Sequence, residues 1–230
     1  MSTLTLTCEP TSPVVQPLLN FNGFNHLPPK LVVQGSRRKR AFDLVFASLV
    51  VLFLLSWLMP LIALLIRLES KGPILFKQLR TGKNGKPFYC YKFRSMRTSA
   101  DANLKQATKG DSRITKVGAF LRKTSLDELP QFINVLKGEM SVIGPRPHML
   151  RHTEDYSKVV HNFMARHTIL PGITGLAQVS GYRGETKETE AMAKRVEADL
   201  QYIENWSFAL DLKIVGQTIA QGLRPQEHVF

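Results

Sequence analysis

Apolar and polar positions divide the chain into one long hydrophobic stretch and several short amphipathic ones. Residues 44–66, LVFASLVVLFLLSWLMPLIALLI, carry no charge, and as a helix they extend about 34 Å, enough to cross a bilayer. Beyond them, residues 74–93 predict a β-hairpin: ILFKQLR and PFYCYKF flank a turn centred on Asn84-Gly85, a strong turn pair. A short helix is predicted over 114–123, with Ile114, Val117 and Leu121 on one face. A second runs over 128–137 with Phe132, Val135 and Leu136 inward, and Gly138 stands where its stop belongs. Residues 186–205 carry Met192, Val196, Leu200 and Ile203 at helical spacing, and residues 209–221 carry Leu212, Val215 and Ile219. Both faces read first as core packing and second as surfaces resting on lipid headgroups. Residues 1–36 show no periodicity and predict a flexible tail. No internal repeat is present, so the fold class is α+β, predominantly helical.

Charge changes the picture of the long stretch. The chain has 31 Lys and Arg against 18 Asp and Glu, a formal net charge of +13, which points to an anionic partner. Arg37-Arg38-Lys39-Arg40 precedes the apolar run, and the positive-inside rule holds that end in the cytoplasm. The other flank, residues 67–97, carries Arg67, Lys71, Lys77, Arg80, Lys83, Lys86, Lys92, Arg94 and Arg97 against the single acid Glu69. A straight crossing would therefore frustrate one flank. Pro60 removes a helix hydrogen bond, and Ser56 stands four residues earlier to satisfy a freed backbone group. The expectation is a helix broken at Pro60 that enters one leaflet and returns. A spanning helix with a tolerated kink is the alternative.

Many familiar sites are absent. There is no GxxxxGK[ST] loop, no GxGxxG after a strand, no GxSxG elbow, no DxD and no HExxH. The six histidines lack HxxxH or HxH spacing, and Cys8 and Cys90 form no CxxC. That cysteine usage suits a reducing compartment.

What remains is an acidic pair among rigid cationic loops. Asp127-Glu128 lies in RKTSLDELPQFIN. Locally Ser125-Leu126-Asp127-Glu128 matches a capping box, but Pro130 lacks an amide that a helix capped at Ser125 needs. A helix starting at Asp127 suits it better, with Asp127 either capping it or projecting from its end. Arg146 sits in Gly144-Pro145-Arg146-Pro147, where Pro145 and Pro147 restrict it to an extended backbone. A guanidinium so held suits bidentate phosphate binding. Arg122 lies within reach of Asp127, and Lys92-Phe93-Arg94 closes the hairpin with further cations. Pro171-Gly172-Ile173-Thr174-Gly175 and Gly181-Tyr182-Arg183-Gly184 are glycine-rich loops that allow backbone to approach a ligand. A carboxylate among cations stays ionised, aspartate is an established phosphoryl acceptor, and a neighbouring carboxylate can hold Mg²⁺.

In order along the chain stand the basic flank, the Pro-containing apolar helix, Lys92-Phe93-Arg94-Ser95-Met96 and Asp111-Ser112-Arg113-Ile114-Thr115. Ser125-Leu126-Asp127-Glu128-Leu129-Pro130-Gln131, Asn134-Val135-Leu136-Lys137-Gly138, Gly144-Pro145-Arg146-Pro147 and Pro171-Gly172-Ile173-Thr174-Gly175 follow. This series closely resembles the monotopic phosphoglycosyl transferases, bacterial sugar transferases, over about residues 37–215. The resemblance implies transfer of a sugar-1-phosphate from a UDP-sugar to undecaprenyl phosphate with release of UMP, as the first step of a membrane-bound glycan. It implies Asp127 as nucleophile, Glu128 as partner to Mg²⁺, and Arg122 and Arg146 as phosphate contacts. Lys92, Arg94, Arg113, Pro145, Pro147 and Arg183 are further candidates for substrate binding, and Ser56 and Pro60 for the helix break. Members often have adjacent Ser and Pro at that break, whereas here Trp57 follows Ser56. The implied organisation is a tail (1–36), a re-entrant helix (37–68) and a catalytic domain (69–230). That domain would lie on the cytoplasmic face of the bacterial inner membrane, alone or as a homodimer.

Two other classes compete. A membrane-tethered basic protein could hold nucleic acid, but no HTH, RRM or KH pattern is present, so no nucleic-acid partner is expected. A glycosyltransferase moving the sugar without its phosphate would release UDP, and the missing DxD speaks against it.

Overall fold

Ser36 caps the first helix, its hydroxyl accepting from the Lys39 amide at 3.2 Å. The computed structural model describes residues 36–97, 110–182 and 189–222. The predicted tail before Ser36 and the candidate Arg183 lie outside the described residues. Helix α1, Arg37–Glu69, is long and apolar enough to cross a membrane. Its first turns belong to the globular body. Lys39 bonds Asp211 (2.9 Å) and Tyr202 (3.0 Å), and Arg40 donates to the carbonyls of Val135 and Leu136. Asp43 accepts from the Ser141 hydroxyl and the Val142 amide.

The helix was expected to break at Pro60, but helical conformation continues through Pro60 to Glu69. The departure from α geometry lies one turn earlier, as a π turn over Val51–Leu55. There Ser56 Oγ donates to the Leu52 carbonyl (2.6 Å) and Trp57 Nε1 to that of Phe53 (2.8 Å). A side chain near the proline does bond a backbone carbonyl, as the sequence suggested, but at the π turn.

The hairpin forms as read. Strands β1 (Leu75–Thr81) and β2 (Pro87–Phe93) pair antiparallel from Leu75↔Phe93 to Thr81↔Pro87. Asn84 (φ 54) and Gly85 (φ 71) supply the left-handed turn. Helix α2, Lys116–Lys123, is capped by Thr115 Oγ1. Its first two amides also donate to Glu69, at 2.6 and 2.8 Å, so the exit of α1 is tied to α2. Helix α3, Gln131–Lys137, ends at Gly138 (φ 82) as predicted. Buried Asn134 joins α3 to β2 through the Tyr91 amide and the Tyr89 carbonyl.

Strands β3 (Ser141–Ile143) and β4 (Gly172–Thr174) pair in parallel. Here glycine serves the chain rather than a ligand: a Cβ on Gly172 would lie 2.1 Å from the Gly144 amide nitrogen. The remaining helices are α4 (Leu150–Ser157), a 3-10 segment (Phe163–Thr168), α5 (Leu176–Val179), α6 (Thr189–Glu204) and α7 (Phe208–Gly222). Helix α6 buries Met192, Val196 and Ile203, as its spacing predicted. Helix α7 does not follow its predicted face. Asp211 and Ile214 are buried, while Leu212 and Ile219 stand exposed.

Two apolar clusters fill the body beneath α1. One gathers Ala47, Phe132, Val135, Met140 and Ile143, and the other Leu55, Ile62, Ile66, Phe93 and Leu121. Val51 and Leu129 pack against both.

Candidate active site

The acidic pair sits on a turn rather than a helix. After α2, Ser125 adopts a left-handed conformation (φ 56) and makes no capping hydrogen bond. A 3-10 turn over Leu126–Glu128 follows, and α3 starts only after Pro130. The capping-box reading and the helix starting at Asp127 are both corrected: Pro130 occupies the cap position itself, where a missing amide costs nothing. Leu126 and Leu129, which bracket the pair, pack against the cluster containing Leu55, Ile62 and Ile66 of α1. The turn that carries the carboxylates therefore rests on an apolar cluster that α1 shares with β2 and α2.

The two neighbours have opposite environments. Lys92 Nζ donates to Glu128 Oε1 at 2.6 Å. Arg146 forks onto the same carboxylate, Nη1 to Oε2 at 3.0 Å and Nη2 to Oε1 more closely. Burial alone would raise the Glu128 titration point, but Arg146 and Lys92 outweigh it and hold the group well below the usual range. Asp127 is only 8% exposed. Burial pushes its carboxyl up to about 6 against the pull of Lys92, and the Glu128 charge adds to the rise. Cations do surround Asp127, as the sequence indicated, yet desolvation outweighs them. Near neutral pH the group still titrates on the ionised side.

Arg146 is positioned from behind by its backbone. Gly172 donates its amide to the Pro145 carbonyl (2.9 Å), and Arg80 donates to that of Pro147 (2.9 Å). Arg166 donates to the carbonyl of Arg146 itself (3.0 Å) and forms a buried ion pair with Asp199 (2.5 Å). The His148 Nδ1 lies 2.7 Å from Arg166 Nη1. Burial and the Arg166 charge hold that imidazole neutral, so it accepts from the guanidinium. Sequence reasoning missed Arg80, Arg166 and Asp199, because nothing in their spacing ties them to the Pro-Arg-Pro loop.

The other candidates divide. Arg122 comes near enough to Asp127 and Asp111 to favour the charged form of each, and its Nη1 lies 3.7 Å from the Met96 sulfur. Arg113 makes a forked pair with Asp111, Nη2 to Oδ2 at 2.6 Å and Nε to Oδ1 at 3.0 Å. Arg94 turns away from Glu128 to the exit of α1, donating to the carbonyls of Ser70 (2.6 Å) and Lys71 (3.0 Å). Among the described residues no group of three or more His, Cys, Asp or Glu is placed to hold a metal.

Residues 34–225 match the family described as bacterial sugar transferases. The chain is 54% identical over 185 residues to the UDP-glucose:undecaprenyl-phosphate glucose-1-phosphate transferase of Escherichia coli, covering 80% of this chain and 40% of that protein. It is 46% identical over 190 residues to the exopolysaccharide production protein PSS of Rhizobium leguminosarum, covering 80% and 94% respectively. A UDP-N-acetylgalactosamine-undecaprenyl-phosphate N-acetylgalactosaminephosphotransferase of Aeromonas hydrophila is 44% identical over 183 residues, 79% of this chain and 42% of its own. The chain thus spans less than half the length of the first and last of these relatives. By the extent of the match and the near-complete coverage of the Rhizobium protein, this chain belongs to the bacterial sugar transferase family.

Proposed function

We propose that the chain transfers a sugar-1-phosphate from a UDP-sugar to undecaprenyl phosphate, initiating a membrane-bound glycan such as an exopolysaccharide, capsule or O-antigen. One observation carries the reading: Glu128 is fixed as an anion by two cations, while its neighbour Asp127 is buried with a raised titration point, on a turn seated against the apolar helix. Carboxylates with environments pushed apart in this way take separate roles. Asp127 attacks the β-phosphorus, the bond to the bridging oxygen breaks, and UMP leaves with that oxygen. The phosphosugar rests on Asp127 as an acyl phosphate until an oxygen of the lipid phosphate attacks phosphorus and regenerates the carboxylate. Arg146, Lys92 and Arg122 offset phosphate charge throughout. The names of the relatives support both donor and acceptor, but they name different sugars, so the sugar is not assigned.

Mg²⁺ fits the site as an ion carried by the diphosphate. It commonly takes one or two protein carboxylates plus substrate phosphates, and Asp127 and Glu128 supply two side by side. Glu128 would hold it, and there the ion would offset phosphate charge.

The anchor reading is a helix that enters and leaves the membrane on the cytoplasmic face of the inner membrane. Its support is that both ends are bonded to one body: Lys39 and Asp43 to α7 and β3, Glu69 to α2. A straight helix of 33 residues would be about 50 Å long, and a spanning one would carry its far end to the opposite face. Helix α7 extends the lipid surface, since exposed Phe208 packs edge-on against Phe42 of α1 and Leu212 and Ile219 are exposed.

The test is nucleotide release by the membrane-extracted chain given undecaprenyl phosphate, Mg²⁺ and a panel of UDP-sugars. UMP with one sugar supports the reading. UDP makes the protein a glycosyltransferase and removes the covalent role of Asp127. Salt-sensitive nucleic-acid binding without turnover would return it to the tethered binding class.

A further inference from the structure

Helix α1 keeps one side on the body along its whole length, yet its buried residues do not share a side in an α-helix. Lys39, Asp43 and Ala47 are buried before the π turn, and Leu55, Ile62 and Ile66 from its end onward. Each α-helical residue turns the chain by about 100°. Over the nineteen positions from Asp43 to Ile62 an unbroken α-helix would leave these side chains about 100° apart, and Lys39 and Ile66 would stand about 180° apart, on opposite sides. A π turn closes on the fifth residue instead of the fourth and so absorbs one residue, setting the following helix back by about 100°. With that correction Asp43 and Ile62 fall in line, and Ala47 and Leu55 come within about 20°.

The outer face gives the same answer independently. Val45 (61%), Leu49 (50%) and Leu52 (63%) are exposed before or within the π turn, and Leu61 (49%), Leu64 (56%) and Leu68 (75%) after it. Val45 and Leu64 are again nineteen positions apart, out of line by about 100° without the slip and aligned with it. The slip is also placed where it matters. Val51, its first residue, packs against both apolar clusters, and so does Leu129, which follows the acidic pair. Ser56 and Trp57 satisfy two carbonyls at the widened turn.

We propose that the π turn Val51–Leu55 is a register device: it absorbs one surplus residue so that both halves of the anchor seat on the body, beneath the turn bearing Asp127. It is a positioning element and touches no substrate. Its bearing on turnover rests on the function proposed above; its geometry does not.

The consequence is an asymmetry between single-residue deletions. Deleting Phe53 removes the surplus, so the turn can close as an ordinary α-helix with every stripe aligned. Deleting Leu61 leaves the slip in place and rotates Ile62 and Ile66 away by about 100°. Full-length chains carrying each deletion are compared for UMP release and for KM against kcat. Deletion of Phe53 is expected to stay within about tenfold of the unaltered chain. Deletion of Leu61 is expected to lose about a hundredfold or more in kcat, as a misplaced nucleophile does. Equal loss in both, or equal tolerance of both, overturns the proposal. Single cysteines along α1, labelled in native membranes with a lipid-soluble maleimide, decide the geometry even if neither deletion accumulates or the unaltered chain shows no turnover. Labelling at 45, 49, 52, 61, 64 and 68 is expected. Protection at 62 and 66, which are buried, is expected beside it; labelling at 66 with protection at 61 instead shows an unslipped helix and overturns the proposal.

Discussion

Arg146 grips Glu128 through both carboxylate oxygens, and the peptide bond between Asp127 and Glu128 couples that grip to the proposed nucleophile. The Glu128 charge works to raise the Asp127 titration point, while Arg146 and Lys92 work to lower it. Glu128→Gln therefore removes a repulsion and frees two cations at once. The acid limb of UMP release, expected near pH 6 in the unaltered chain, should move to lower pH in this variant. Its plateau should fall by about a hundredfold as transition-state positioning is lost. A limb that stays in place would show that Asp127 does not set it.

Asp127→Asn should abolish turnover and at the same time stabilise the protein. The folded-state titration point, about 6, lies above the ordinary 3.8. The folded state therefore holds the proton more tightly, and this contribution is present at low pH and lost as pH rises through 6. Above pH 6 the buried carboxylate costs about 1–3 kcal/mol, which the amide does not incur. Thermal unfolding should show the variant more stable at pH 8 and equal near pH 4. A less stable variant at pH 8 would mean that the carboxylate is well solvated or well paired.

Much of this site was legible because motif and local chemistry agreed. Asn84-Gly85 makes the hairpin, Gly138 stops α3, and Lys92, Asp127, Glu128 and Arg146 converge although they come from β2, a 3-10 turn and a loop. The failures have tertiary causes. Ser125 could not cap a helix because its own backbone turns left-handed. The face of α7 was misjudged because Asp211, a charged residue, occupies the buried position, held by Lys39, Tyr202 and Trp206. That pairing also removes Lys39 from the basic flank, and Arg40 is spent on helix carbonyls. Charges that sequence arithmetic assigns to topology are partly internal. Arg94 shares a motif with Lys92 but stands just past the end of β2, where the carbonyls of Ser70 and Lys71 accept from it.

Asp199 should influence the site although it lies far from it in sequence. Its ion pair with Arg166 is fully buried, and Arg166 in turn holds the Arg146 carbonyl. Asp199→Asn leaves a buried guanidinium without its counter-charge, a change that costs about 3–5 kcal/mol. If the pair also positions Arg146, KM for the UDP-sugar should rise about tenfold in enzyme that remains folded, with a smaller change in kcat. Asp199→Glu should recover part of both effects. Loss of stability with an unchanged KM would confine the pair to a structural role.

The anchor predicts which face its two ends occupy. Arg38 and Lys71 are exposed at opposite ends of α1, and the bonds from Lys39 to Asp211 and from Glu69 to the amides of α2 hold both ends to one body. Cysteines placed at 38 and 71 should react with a membrane-impermeant maleimide only in inverted inner-membrane vesicles, and neither should react in intact cells. Labelling of one from each side would establish a spanning helix and require the bonds at one end to be broken in the membrane. The accompanying variant Glu69→Ala removes the acceptor of two α2 amides, worth about 1 kcal/mol as a capping interaction. It should loosen position 71 without changing the face from which it is labelled, because the apolar contacts of Ile62 and Ile66 with the body remain.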